Sequence, residues 1–431
     1  MKIRKAWVAA AAAVATVGML GLTGCSGGTD GPSADGKTTL TMWHNSTTGD
    51  GKAYWDDAAA AFSKENPDVT IKITSIQNED MDGKLQTAVN SGDMPDIFMA
   101  RGGGKLADIV DAGKVKDLTG LIDDDVKTAF GDAPFSAFTV DGKIYGMPSA
   151  VLPGGFFYSK DLFEQAGITS EPTSMDELEA AVGKLKDAGI QPIALGAKAA
   201  WPAAHWYYFF SLRACGQDLI ENLATKADFT DPCWLTAAQN LQDFAGIEPF
   251  NKGFLTTSPQ EGANSSAGLL ANHKAAMELM GAWDVGVIAS LTPDEKPLPD
   301  LGWFPFPEVN GGDGAPGAMM GGVDGYSCSA DSPAACEQFL NFVSSKEWQE
   351  KYAVAFQTIP ANQDATGAVE DPSLKPLMEA YQKAPYVALW LDTALGQNVG
   401  NALNTGVVEM LAGQGSPEKL IDTVVKAQAR G

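Results

Sequence analysis

Thr38-Thr39-Leu40-Thr41-Met42-Trp43-His44-Asn45 opens the run of alternating elements that decides the fold. The octapeptide is rich in β-formers and follows a polar stretch, so it reads as a first strand. Asp50 to Asn66 then carries Tyr54, Ala58, Ala61 and Phe62 at helical spacing and stops at Pro67. Val69, Ile71 and Ile73 alternate with Thr70 and Lys72, which predicts a half-buried second strand. A helix follows around Met81 to Ser91, with Leu85 and Val89 four apart, and Gly92 and Pro95 end it before Asp96-Ile97-Phe98-Met99-Ala100, a third strand. Strands alternating with helices predict βαβ units and a mainly parallel sheet.

The pattern resumes further on. Phe156-Phe157-Tyr158 reads as a short strand, Asp161 to Gly167 as a helix, and Ser174-Met175-Asp176-Glu177 as a capping box ahead of Leu178, Val182 and Leu185. Pro192-Ile193-Ala194-Leu195-Gly196 is a further strand. Between the blocks, Ile144-Tyr145-Gly146-Met147-Pro148 breaks the pattern where a crossover fits. Two α/β lobes joined by extended segments account for this order.

Composition narrows the function. The chain has 431 residues, 54 acidic against 30 basic side chains, a net charge of −24 and 45% apolar content, enough for two or three domains or one two-lobed body. Such a charge repels phosphate backbones, and no Lys/Arg cluster interrupts it, so nucleic-acid binding is excluded. With 10 Trp, 19 Phe and 9 Tyr the chain is too apolar for intrinsic disorder.

Lys2, Arg4 and Lys5 precede an uncharged stretch from Ala6 to Leu22, the charged and apolar regions of a secretory signal peptide. Leu22-Thr23-Gly24-Cys25 resembles the lipobox of bacterial lipoproteins, which implies cleavage after residue 24, lipidation of Cys25, and anchoring to the outer face of the cell membrane. Residues 25–37 are Gly/Ser/Asp-rich and read as a flexible tether. Nothing downstream is long and apolar enough to span a membrane. The remaining cysteines, Cys215, Cys233, Cys328 and Cys336, face an oxidising compartment. They allow three pairings; Cys215 with Cys233 and Cys328 with Cys336, which closes two short loops, is the expected one. No C-x-x-C spacing or nearby His points to a metal.

An ordered series of short stretches resembles the extracellular solute-binding proteins of carbohydrate ABC importers, the maltodextrin-binding-protein-like group of solute-binding family 1. It comprises Trp43-His44, Phe62-Ser63-Lys64-Glu65-Asn66-Pro67, Met94-Pro95-Asp96-Ile97, Tyr145-Gly146-Met147-Pro148 and Phe157-Tyr158-Ser159-Lys160-Asp161-Leu162-Phe163. Ala276-Met277 before Gly281-Ala282-Trp283, Gly321-Gly322, Phe339-Leu340-Asn341-Phe342 and Lys346-Glu347-Trp348-Gln349 complete it. The resemblance implies a two-lobed α/β periplasmic-binding-protein-like fold, with a ligand cleft between lobes and a hinge of crossover segments. Residues 38–147 and 312–357 would form the N-terminal lobe, and 148–311 and 358–431 the C-terminal lobe. It also implies capture of an oligosaccharide by hinge closure and delivery to membrane permease subunits, with no chemistry and no cofactor. A monomer suffices for that cycle.

A pyranose has a face of C–H groups and a rim of hydroxyls, so aromatic rings cover the face and planar polar groups reach the rim. Trp43, His44 and Asn45 close the first strand at the carboxyl end where open α/β sheets bind ligands, and Gln77 with Asn78 closes the second. Arg101, followed by Gly102 to Gly104, offers a five-donor fork beside a backbone that permits close approach. Trp201 and His205 lie at the start of an aromatic run on a helix. By resemblance, Trp283 is the strongest stacking candidate; neighbouring Asp284 either accepts a hydroxyl or caps the next helix. Gly321, Gly322 and Asp324 lie where the chain re-enters the first lobe, and Tyr386, Trp390 and Asp392 lie where relatives contribute another ring, with Tyr386 and Trp390 alternatives for that place.

A secreted glycosidase is the main competitor and needs two carboxylates roughly 5–9.5 Å apart, but no motif singles out such a pair. No G-x-S-x-G, H-E-x-x-H or G-x-G-x-x-G pattern is present. A binding protein for a non-sugar solute is the second alternative; here aromatic and neutral polar candidates outnumber charged ones.

Overall fold

The structure, a computed structural model, describes residues 36–47, 49–224 and 226–430. The expected signal peptide, the lipidated Cys25 and all of the tether before residue 36 lie outside the described residues. From Thr38 onward the chain forms a single unit.

A ten-stranded mixed sheet organises the described residues. β1 (Thr38–His44) lies between β2 (Val69–Ser75) and β3 (Ile97–Ala100), parallel to both. The helices Gly49–Glu65 and Asn78–Ser91 make the crossovers, as the periodicity predicts. β4 (Thr139–Val140) and β5 (Lys143–Ile144) form a separate small hairpin. β6 runs from Met147 to Ser159, where the sequence predicts only a three-residue strand. Its 13 residues are all buried, so it lacks the alternation that marks a half-exposed strand, and Pro148, Pro153 and Gly154-Gly155 read as breakers. They are tolerated because β6 changes partners at that point. Met147–Pro153 pairs antiparallel with β10 (Met319–Cys328), while Gly154–Tyr158 pairs antiparallel with β8 (Ala275–Gly281).

β7 (Gln191–Ala194) extends β8 in parallel, and β9 (Leu301–Phe304) covers the other edge of β6. β10 joins β3 antiparallel at its far end. β11 (Ile359–Pro360) flanks β6, and β12 (Val387–Leu389) pairs with the start of β10. Two half-sheets, β2-β1-β3-β10-β6 and β9-β6-β8-β7, therefore share β6. This is the two-lobed α/β arrangement, with one correction: the sheet is mixed, because β6 runs antiparallel to all its neighbours and β10 antiparallel to β3 and β6.

Each half-sheet has its own core. Leu40, Met42, Trp55, Phe62, Phe339 and Leu340 pack beside the first. Phe156, Trp206, Phe209, Trp234, Phe306 and Leu403 pack beside the second, around the helix Trp201–Ala214, which is buried on every side. Both expected disulfides are present. Cys215–Cys233 (Cα–Cα 5.1 Å) ties that helix to Pro232–Gly246, and Cys328–Cys336 (6.1 Å) ties the end of β10 to the helix Ala335–Ser344.

Candidate functional site

Four predicted rings from three distant parts of the chain meet. Trp201 opens the helix Trp201–Ala214, and His205 lies one turn further on the same face. Trp283 follows β8, and Trp390 follows β12. His205 stacks on Trp390 with centroids 4.3 Å apart and planes 11° from parallel. Trp201 lies 5.1 Å from His205, and Trp283 lies 6.0–6.1 Å from Trp201, His205 and Trp390. Trp283 also packs against the cores of both half-sheets and against a third cluster beneath β8, which places it at the junction of the lobes. Glycines make the room: a Cβ on Gly322 would lie 2.6 Å from Trp390 Nε1, and one on Gly154 2.6 Å from Trp390 Cη2. Trp201 Nε1 and His205 Nδ1 are buried with no protein partner among the described residues. Burial lowers His205 from 6.5 to about 4, so its ring is neutral.

A polar ladder runs alongside. Asn45 Nδ2 and Arg101 Nη2 both donate to Asn78 Oδ1, at 3.1 and 2.8 Å. Arg101 Nε donates to Asp82 at 2.9 Å, and Lys105 Nζ donates to Asp82 at 3.0 Å and to Asp392 at 3.2 Å. Asn404 donates to Asp392 at 3.2 Å and accepts from the Tyr208 hydroxyl. Burial pushes the Asp392 carboxyl upward, but Lys105, His205 and Asn404 together hold it below its usual value. For Asp82, Arg101 and Lys105 likewise outweigh burial. The ladder crosses from the β3 end to the C-terminal segment because Gly103 and Gly104 leave space: a Cβ on Gly104 would lie 2.5 Å from the Ala394 carbonyl oxygen. Rings that cover an apolar face, bordered by fixed carboxylate, amide and guanidinium groups, suit a ring-shaped solute rimmed with hydroxyls.

Residues 45–350 match the family of bacterial extracellular solute-binding proteins. The chain belongs to this family. A structure from the thermophilic bacterium Caldanaerobius polysaccharolyticus, solved in work on xylan utilization, superposes with a TM-score of 0.83 at 27% identity, covering 90% of this chain and 99% of that one. A chitin oligosaccharide binding protein superposes with a TM-score of 0.80, also at 27% identity, covering 91% and 98%. The diacetylchitobiose binding protein DasA of Streptomyces coelicolor is 24% identical over 404 residues, 90% of this chain and 88% of its own.

In this solute-binding protein the predicted residues divide. Trp201, His205, Trp283 and Trp390 form the aromatic cluster, and Asn45, Arg101 and Asp392 belong to the ladder. Asp324, half-buried, acts electrostatically on Arg101. Trp43 is half-buried against the first core, and Gln77 is exposed, accepting from Thr47 at 3.4 Å. Four readings meet a structural place in the fold instead. His44 is fully buried because it continues the inward face of Leu40 and Met42; its Nδ1 accepts from Ser46 N at 3.1 Å and its ring lies 5.9 Å from Trp55. Asp284 is 0% exposed and makes no capping bond. Tyr386 is buried beside Arg213 and Glu221, so the ring at this place is Trp390. Gly321 and Gly322 serve Trp390, whose N–H donates to the Gly321 carbonyl at 2.9 Å, in place of presenting backbone donors to a ligand.

Asp82, Lys105 and Asn404 were not predicted. Asp82 lies four residues after Asn78 on the same helix, so helical spacing was the available signal for it; Lys105 and Asn404 had no such signal, because Arg101 precedes its helix. Asp161, His273 and Asp300 come within 4.8 Å of one another and could hold a metal, but His273 and Asp300 already pair at 3.0 Å on the surface.

Proposed function

We propose that this protein is the extracytoplasmic receptor of a carbohydrate ABC importer, which closes on an oligosaccharide and hands it to membrane permease subunits without altering it. The observation that carries this is the convergence of Trp201, His205, Trp283 and Trp390 with the Asn45–Asn404 ladder at the junction of two half-sheets. The rings touch one another, so a sugar ring enters only when the lobes part, and closure then re-forms the wall around it. We take the lobes to be 38–147 with 312–357 and 148–311 with 358–431. Residue 147 opens the shared strand β6, and residue 357 ends a helix in a left-handed conformation (φ 45°), which suits chain exchange. The similar proteins named for chitin oligosaccharide and diacetylchitobiose binding favour an oligosaccharide ligand. Residues 1–24 serve as the export signal, Cys25 carries lipid, and the anchored body acts as a monomer.

Thermal unfolding of the body from Ser26 onward, against xylo-, chito-, manno- and malto-oligosaccharides, tests the reading. A saccharide at 100 times its dissociation constant adds about 2.7 kcal/mol and raises the midpoint without being consumed. Trp283→Ala removes that shift. No shift with any sugar redirects the assignment to another solute, and hydrolysis of a sugar restores the glycosidase.

A further inference from the structure

We propose that Glu278 and Asp284 share one proton across the turn that carries Trp283, and that this bonded pair positions the Trp283 ring between the half-sheets. Glu278 is on β8 and Asp284 opens the helix Asp284–Leu291, so the two acids bracket Gly281-Ala282-Trp283. Alternation along β8 puts Glu278 on the face of Met280 and Ala282, which packs against Ala267, Leu270, Val285 and Ile288. Glu278 is 1% exposed and Asp284 0%. All four of their carboxyl oxygens are buried with no donor among the described residues.

The groups acting on Glu278 are Asp284 and the Ser266 hydroxyl, and Glu278 alone acts on Asp284. Ser266 spends its proton on the Pro259 carbonyl at 3.0 Å. No lysine, arginine or histidine among the described residues balances either acid. Two ionised carboxylates can only accept, so they cannot bond each other, and unpaired charges in an apolar interior are strongly unfavourable. One proton between them converts repulsion into a charge-assisted hydrogen bond. Burial, reinforced at Glu278 by its neighbour Asp284, drives both carboxyls upward, which supports the same state. A bond from β8 to the first turn of the next helix fixes both ends of the turn, and the Trp283 ring packs against it: a Cβ on Gly281 would fall 2.0 Å from Trp283 Cζ3. Losing the proton sets two charges against each other at the turn's ends and loosens the ring.

The inference goes beyond the sugar-binding reading, and its test needs no ligand. Infrared difference spectra of the protein, wild type minus the double variant Glu278→Gln/Asp284→Asn, should show a protonated-carboxyl C=O band at neutral pH. The two amides keep a donor and an acceptor across the turn without a titrating proton, whereas either single variant leaves one acid that burial still raises; Glu278→Met with Asp284→Asn is the alternative should the first not fold. The folded pair retains a proton that the unfolded chain releases near pH 4, so wild type loses stability relative to the double variant as pH rises from about 4 through about 7. His44 and His205 are common to both proteins and cancel in that difference. The near-ultraviolet dichroism due to Trp283, obtained as wild type minus Trp283→Phe, should change over the same range and stay constant in the background of the double variant. Absence of the carboxyl band, or a stability difference independent of pH, overturns the shared proton. A Trp283 signal that ignores pH overturns the positioning role.

Discussion

Trp390 shows how much one residue owes to its neighbours. Its indole fits only because positions 154 and 322 lack a Cβ, and its face is covered by His205 at 4.3 Å. His205 is depressed from 6.5 to about 4 by burial, so the folded protein binds fewer protons than the unfolded chain across that interval. Its contribution is fully present above pH 6.5 and is lost as pH falls through about 4. His205→Phe keeps a ring against Trp390 but removes the titration. Urea unfolding of both proteins at several pH values should show wild type losing up to about 3 kcal/mol relative to the variant between neutral pH and pH 4. At this scale the sequence was partly legible. Residue type and position at a strand or helix end pointed to Trp201, Trp283 and Trp390. Adjacency to Trp283 could not say that Asp284 is fully buried, because each step along a helix turns the side chain by about 100°.

The shared strand β6 carries the architecture at the scale of elements. Its Pro and Gly residues read as a break in sequence, yet they mark the point where it passes from β10 to β8. The helix Trp201–Ala214 is the counterpart on the second half-sheet, and Cys215–Cys233 anchors its end. With a sequence separation of 18 between the cysteines, the bridge removes about 3 kcal/mol of unfolded-chain entropy, and Cys328–Cys336, with a separation of 8, about 2.5 kcal/mol. Paired alanine replacement at Cys215 and Cys233 should therefore lower the urea midpoint more than replacement at Cys328 and Cys336. Equal losses would show that native-state packing, not loop length, sets the contribution. The amphipathic helices and alternating strands of the first block were legible because one face of each is wet. Strands buried on both sides, such as β6 and β8, carry no period to read.

For the whole molecule, the family places this solute-binding protein outside the cytoplasm, and the proposed anchor is tested at Cys25. Cys25→Ser should release the protein into the medium or leave an uncut precursor, read by fractionation and metabolic lipid labelling; continued labelling would refute lipidation at that residue. The sequence by itself determined the α/β class and pointed to the aromatic candidates, because local periodicity, turn chemistry and residue type act over a few residues. Only the tertiary structure decided that the sheet is mixed, that Trp390 and not Tyr386 joins the rings, and that Lys105 links Asp82 to Asp392. It also decided that Glu278 and Asp284 face each other in an apolar core. Those outcomes depend on contacts between residues up to hundreds of positions apart, and burial on the far side of a strand leaves no mark on its own sequence.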